Sequence, residues 1–142
     1  RQPVRYVLDG GQRFPLYLGA AGKAELAFLA SAERERLLQH AAAADRSITA
    51  AAADRLRGQL DKVVAQGYAT SVSERVDGAT AAAAPIFSSS GAVCGVLSIM
   101  MPAFRADEAR LHQCGALLLE ALRGHLFADD HSPGWQRQKQ HP

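Results

Sequence analysis

Ala79-Thr80-Ala81-Ala82-Ala83-Ala84-Pro85-Ile86-Phe87 is followed by Ser88-Ser89-Ser90-Gly91 and then by Ala92-Val93-Cys94-Gly95-Val96-Leu97-Ser98-Ile99-Met100-Met101. Two strand-like runs joined by a short loop of turn formers predict a β-hairpin. In the second run, alternation puts Val93, Gly95, Leu97 and Ile99 on one face and Cys94, Val96, Ser98 and Met100 on the other. Both faces are apolar enough to be covered, which predicts a central strand, stopped by Pro102. The first run carries very small side chains and one interruption, Pro85.

Outward from the hairpin, Tyr68 to Glu74 predicts a further strand and Asp77-Gly78 a turn. Upstream, Thr49 is placed to cap a helix running to Gln66. Leu56, Leu60, Val63 and Val64 recur in it at helical spacing, and Gly67 suits its C-terminal stop. Ser31 is the expected N-cap of the preceding helix, with Glu33 and Glu35 near its positive end and Leu37 and Leu38 inside. Gly19 opens a helix to about Leu29, with Ala24, Ala27 and Phe28 on one stripe. Val4 to Leu8 and Phe14 to Leu18 are expected as short strands, the second pushed to an edge by Pro15. Downstream, Arg105 to Phe127 predicts a long helix with Leu111, Cys114, Leu118 and Leu122 as its buried stripe. Residues 129–142 are polar and are expected to form a disordered tail. The order β-β-α-α-α-β-β-β-α predicts an α/β protein of the α+β type, an antiparallel sheet with helices packed on it.

With 142 residues, the chain has about one domain's length. Its 48% apolar and 21% charged residues exclude disordered, collagen-like and disulfide-scaffold classes. A net charge of +2 gives no nucleic-acid footprint. No apolar run approaches the roughly 20 residues of a membrane span. Cys94 and Cys114 lack metal-site neighbours at short spacing and are expected as reduced cytosolic thiols.

Candidate chemistry is sparse. Gly19-Ala20-Ala21-Gly22-Lys23 lacks the glycine spacing and the Ser or Thr after Lys that a phosphate loop needs. Free N–H groups at this helix start are suited to a polar ligand atom; the alternative is a helix start that merely packs closely. His40, His112, His125, His131 and His141 show no metal-ligand spacing with other donors. No nucleophile elbow occurs. Glu74 and Asp77 form either an acid pair or hydrogen bonds at a strand end. The small strand is the remaining signal. Ala79, Ala81, Ala82, Ala83 and Ala84 cannot fill the space under a helix at native density. Either Phe14, Tyr17, Phe28 or Met100 fills it, or a small-molecule pocket exists.

One ordered set of residues carries a resemblance. It begins with Arg13-Phe14-Pro15-Leu16-Tyr17-Leu18-Gly19-Ala20-Ala21-Gly22-Lys23-Ala24 and Leu26-Ala27-Phe28-Leu29. It continues with Gly67-Tyr68-Ala69, Glu74, Gly78, Ala82-Ala83-Ala84-Pro85-Ile86-Phe87, Gly91, and Leu97-Ser98-Ile99 with Pro102. In order and spacing, this set resembles the effector-binding domain of IclR-family transcriptional regulators. The resemblance implies a GAF-like fold, a curved antiparallel sheet of about five to six strands with helices packed on it. It implies an effector-binding domain over residues 1–128, with a ligand pocket between the sheet and the helix that starts at Gly19. Gly19, Ala20 and Ala21 would offer backbone donors, and Ser71, Ala81, Ser98 and Met100 would line the rest. No catalytic residue, metal or cofactor is implied. The implied partners are a small-molecule effector, further copies in a dimer or tetramer, and DNA, reached only through a preceding winged helix-turn-helix module that these 142 residues do not contain. A cytoplasmic protein with no membrane contact is expected.

The chain departs from the family pattern, in which members that sense small oxo-acids carry more polar residues at the positions of Ser71, Ala81 and Met100. Ser98-Ile99-Met100-Met101-Pro102 stands where Ser-Ile-Ser-Gly-Pro is usual. Each missing polar partner leaves part of a carboxylate unpaired, at about 1–3 kcal/mol. Ala81 and Met100 therefore imply an apolar or aromatic effector rather than a small oxo-acid. Two alternatives stand beside the sensor: an assembly-only domain whose cavity is closed by Met100, Tyr17 and Phe28, and an enzyme built on Glu74.

Overall fold

The Thr49 hydroxyl accepts a hydrogen bond from the amide of Ala52 at 3.2 Å. Gly67 ends the same helix in the left-handed region, φ 89°. The helix α3 (Ala50–Gln66) is thus bounded at both ends by the residues its sequence supplies. The protein's structure, a computed structural model, describes residues 11, 13–45 and 48–125. Before α3 come α1 (Gly19–Ala27) and α2 (Ser31–Ala44); after it come β1 (Ala69–Val72), β2 (Ala79–Phe87), β3 (Val93–Pro102), a 3-10 turn at Ala103–Arg105 and α4 (Glu108–His125).

Among the described residues the sheet has three antiparallel strands in the order β1-β2-β3. Fewer strands are seen than the five to six expected. The segment Val4 to Leu8 lies outside the described residues. Phe14 to Leu18 is a turn rather than a strand: the Leu18 amide donates to the Pro15 carbonyl at 3.1 Å. Pro15 cannot donate to a ladder, and the chain must bend here to enter α1.

The hairpin forms as expected, but its central member is β2, not β3. β2 pairs with β1 from Thr80 to Ala83 and with β3 along its whole length. Most of β2 is buried, and Pro85 lies where it has outrun β1. Among the described residues β3 is an edge strand, with Cys94, Leu97 and Ser98 exposed. Its two apolar faces have another cause. Val93 and Val96 pack on a cluster built with α1 and α3, while Ile99 and Met101 pack on a cluster built with α4. Helices above and below a strand make both faces apolar whatever lies beside it.

Alanine makes this layering possible. Ala83 is wholly buried towards α1, and Ala82 and Ala84 are wholly buried towards α4. With only methyl groups between them, both helices approach the sheet closely. Phe28 and Phe87 fill the α1 side edge to face, with centroids 5.3 Å apart. Of the expected stripe of α4, Leu111, Cys114 and Leu118 are buried and Leu122 is partly buried. Two boundaries shift. Ser31 lies inside α2, and Ala30 stands at its N-cap with no side-chain bond. The last helix starts at Glu108, after the 3-10 turn. The expected tail, residues 129–142, lies outside the described residues.

Gly22 explains the close entry into α1. A Cβ there would stand 2.4 Å from the Leu16 carbonyl oxygen and 2.9 Å from its carbon. The obstacle is backbone, which cannot swing aside. Gly22→Ala is expected to destabilise the domain by about 1–3 kcal/mol, read as a lower urea midpoint at unchanged slope.

Candidate functional site

α1 begins without a side-chain cap of its own, because Leu18 occupies the N-cap position. The missing acceptor comes from 55 residues away, where Glu74 Oε2 accepts the amide hydrogen of Gly19 at 3.0 Å. Glu74 Oε1 meets Lys23 Nζ at 2.6 Å. The Lys23 side chain is 5% exposed and that of Glu74 30%. A buried ammonium needs such a partner. One carboxylate therefore caps the positive helix end and neutralises the buried lysine. Glu74 takes the hydrogen-bonding role rather than the acid-pair role with Asp77.

Beside this pair the sheet and α1 leave a cavity of about 70 Å³. All seven positions expected at a ligand site line it. α1 contributes Gly19, Ala20 and Ala21, whose first-turn amides have no partner within the helix. The sheet contributes Ser71, Ala81, Ser98 and Met100. Pairing explains their convergence. Ser71 is opposite Ala81, and Ala81 is opposite Met100, so the three form one row across the sheet. Ser98 is two residues from Met100, on the same face.

The cavity and the filled core coexist. Phe28 packs on Phe87, and the Tyr17 hydroxyl donates to Asp45 Oδ2 at 3.3 Å, so neither plugs the space. Burial, with Asp45 beside it, raises the Tyr17 pKa. Met100 lines the wall without closing it.

The wall is more polar than Ala81 and Met100 suggested. Glu74, Arg75 and Thr80 also line it. Thr80 is 1% exposed, and its hydroxyl donates to the Met101 carbonyl at 3.2 Å. Arg75 stacks on Phe14, its guanidinium carbon 3.5 Å from the ring centroid. Its Nε is buried without a hydrogen-bond partner among the described residues. Sequence reasoning missed Arg75 and Thr80. Glu74 was legible in principle: Lys23 falls among Ala20, Ala24 and Ala27 on an apolar helix face and demands an acid. Among the described residues no cluster of His, Cys, Asp and Glu is arranged to hold a metal, and no helix is long and apolar enough to cross a membrane.

The family model "Bacterial transcriptional regulator IclR C-terminal" matches residues 1–124. The chain belongs to the IclR family. It is 36% identical over 116 residues to the HTH-type transcriptional regulator KdgR of Escherichia coli, covering 80% of this chain and 43% of that protein. It is 31% identical over 125 residues to the HTH-type transcriptional regulator BhcR of Paracoccus denitrificans, covering 86% of this chain and 44% of that protein. The chain thus spans less than half the length of these curated relatives. The crystal structure of the C-terminal domain of Escherichia coli KdgR superposes with a TM-score of 0.65 at 36% identity, covering 80% of this chain and 70% of that one. An IclR regulator from Alicyclobacillus acidocaldarius gives 0.71 at 26% identity, covering 86% and 49%. These relatives are named as transcriptional regulators, not enzymes.

The two members of the buried pair are unequal. Glu74→Gln leaves the Lys23 ammonium buried and uncompensated, and is expected to lose about 3–5 kcal/mol. Lys23→Met leaves a carboxylate that water still reaches and that Gly19 still holds. Its expected loss is smaller, about 1–3 kcal/mol. Chemical denaturation of the two variants in parallel checks the order.

Proposed function

We propose that this chain is the small-molecule sensing and self-association domain of a bacterial transcriptional regulator, on a GAF-like sheet. The observation that carries the proposal is the cavity beside α1, at which seven positions scattered over 82 residues of sequence converge. An effector bound there shifts the population of dimer or tetramer arrangements, and with it the spacing of the DNA-binding heads of the full-length protein. DNA is contacted through those heads, and the whole protein acts in the cytoplasm.

The cavity volume bears on the part of the effector that it can enclose. A cavity of about 150 Å³ is known to hold benzene, and about 10–15 Å³ accommodates one water. At about 70 Å³ the space suits a molecule the size of a few waters. The polar side chains of Glu74, Arg75 and Thr80 on the wall favour a more polar effector than Ala81 and Met100 imply. An assembly-only domain is the alternative, and binding separates the two.

Titration calorimetry with short acids, their amides, short acyl compounds and aromatic acids tests the sensor. At least one class is expected to bind, and Ala81→Leu is expected to abolish that binding by occupying the cavity. Binding by no class overturns the proposal. Ser98→Ala is expected to weaken a polar effector about 2–10-fold, one neutral hydrogen bond's worth; unchanged affinity removes Ser98 from the site.

A further inference from the structure

We propose that the loop of residues 73–78, between β1 and β2, is the gate of the cavity, with Glu74 and Arg75 as its latches. Its part in sensing rests on the function proposed above; the gate itself is tested without an effector.

The walls of the cavity decide where its entrance lies. Among the described residues that line it, those of α1 and the three strands are held by helix and sheet hydrogen bonds. Ala20 is 2% and Thr80 1% exposed, so both walls are packed against their neighbours. Glu74, Arg75 and Val76 alone belong to a loop. A space of about 70 Å³ encloses a few waters and admits nothing larger unless a wall moves. The loop is the wall free to do so.

This loop has a fixed base and a tip that reaches α1 through side chains. At the base, the Ser73 amide donates to the Ala79 carbonyl at 2.7 Å, and the Gly78 amide donates to Ser73 Oγ at 3.1 Å. Both ends have positive φ, 51° at Ser73 and 71° at Gly78. Among the described residues Ser73 is the one non-glycine in that region, which a side chain occupies at a cost. Such loop ends are where a hinge absorbs rotation. At the tip, Glu74 holds the Gly19 amide at 3.0 Å and Lys23 Nζ at 2.6 Å. Arg75 lies against the helix start, where a Cβ on Gly19 would stand 3.5 Å from its own. Its guanidinium carbon stacks 3.5 Å from the Phe14 centroid. Both links part without breaking a hydrogen bond of the sheet.

The latches make the gate rest shut. Opening uncaps α1 and takes the carboxylate from the buried Lys23 ammonium. The Glu74 side chain is 30% exposed, so water competes for it from outside and the latch is reversible. Passage through the gate thereby acts on the first turn of α1.

The test reads access to the cavity of the 142-residue chain with N-ethylmaleimide. Its ring is about the size of benzene, which a cavity of about 150 Å³ holds, so the closed cavity excludes it. Ser71→Cys places a thiol on the cavity wall. The native thiols are references: Cys94 is exposed, and Cys114 is buried on the α4 side. Labelling, resolved by peptide mass spectrometry, is expected to be fastest at Cys94, slower at the introduced thiol and slowest at Cys114, with about tenfold or more at each step. Lys23→Met is expected to speed the introduced thiol about tenfold, a charge-assisted hydrogen bond's worth. Phe14→Ala is expected to speed it about two- to fivefold. Thr49→Ala, which removes the α3 cap, is expected to speed Cys114 and leave the introduced thiol unchanged. A rate for that thiol equal to the rate of Cys94 means an open groove, and one equal to the rate of Cys114 means access by unfolding; either overturns the gate. So does a rate that both latch variants leave unchanged, or one that Thr49→Ala raises as much as they do. Should Ser71→Cys fail to fold, tryptic cleavage after Arg75 in the unsubstituted chain decides instead. A cleavage rate nearly flat in dilute urea supports local opening, and the slope of full unfolding overturns it. These rates need no effector, so they decide the gate even where the titrations above find no binder and the sensor function fails.

Discussion

The carboxylate of Glu74 ties the loop after β1 to the first turn of α1, and the rest of the site depends on it. α1 enters with Leu18 at its cap and with Lys23 buried. Left alone, that arrangement exposes a helix-end amide without an acceptor and places an ammonium in an apolar setting. Glu74 relieves both with its two oxygens. The same bonds hold Arg75, the next residue, against the cavity and against the turn at Phe14. The local rule that a helix supplies its own cap is broken here, and the break lies at the candidate site.

The alanines of β2 serve two ends at once. Their small volume brings α1 and α4 close to opposite faces of one strand, and Ala82, Ala83 and Ala84 are wholly buried in consequence. At Ala79 and Ala81 the helix has not yet closed over the sheet, because α1 begins at Gly19 beside them, and the space stays open. Close approach and vacancy thus follow from one composition, divided by where α1 starts. Tyr68 reinforces the far side. Its ring lies where a Cβ on Gly115 would stand, and its hydroxyl is 2.7 Å from His112 Nδ1, which pins α4 to β1.

Much of the architecture was legible because its signals are local. Thr49 and Gly67 bound α3 through caps that involve only neighbours a few residues away. The hairpin of β2 and β3 follows from two strand patterns and one short loop. The stripe Leu111, Cys114 and Leu118 needs only the helical period. The misplacements have physical causes. Ser31 looks like a cap by type, yet capping is a matter of backbone angle, and it is Ala30 that holds the non-helical angles, φ −54° and ψ 139°. Phe14 to Leu18 looks like a strand by composition, yet the approach of Gly22 to Leu16 requires a turn. β3 was expected at the centre because apolar faces were taken to report lateral neighbours, whereas they report the layers above and below.

The sequence by itself determined the helices, the hairpin, the small-residue strand and, through its ordered resemblance, the seven positions that line one cavity. The helices, the hairpin and the small strand follow from periodicity, capping and volume, which act over a few residues; the seven positions came through the resemblance alone. Tertiary structure alone decided which strand is central, how large the cavity is and which charged side chains line it. Lys23 meets Glu74, and Phe14 meets Arg75, only when chain segments about fifty to sixty residues apart come together, and no local period encodes that meeting.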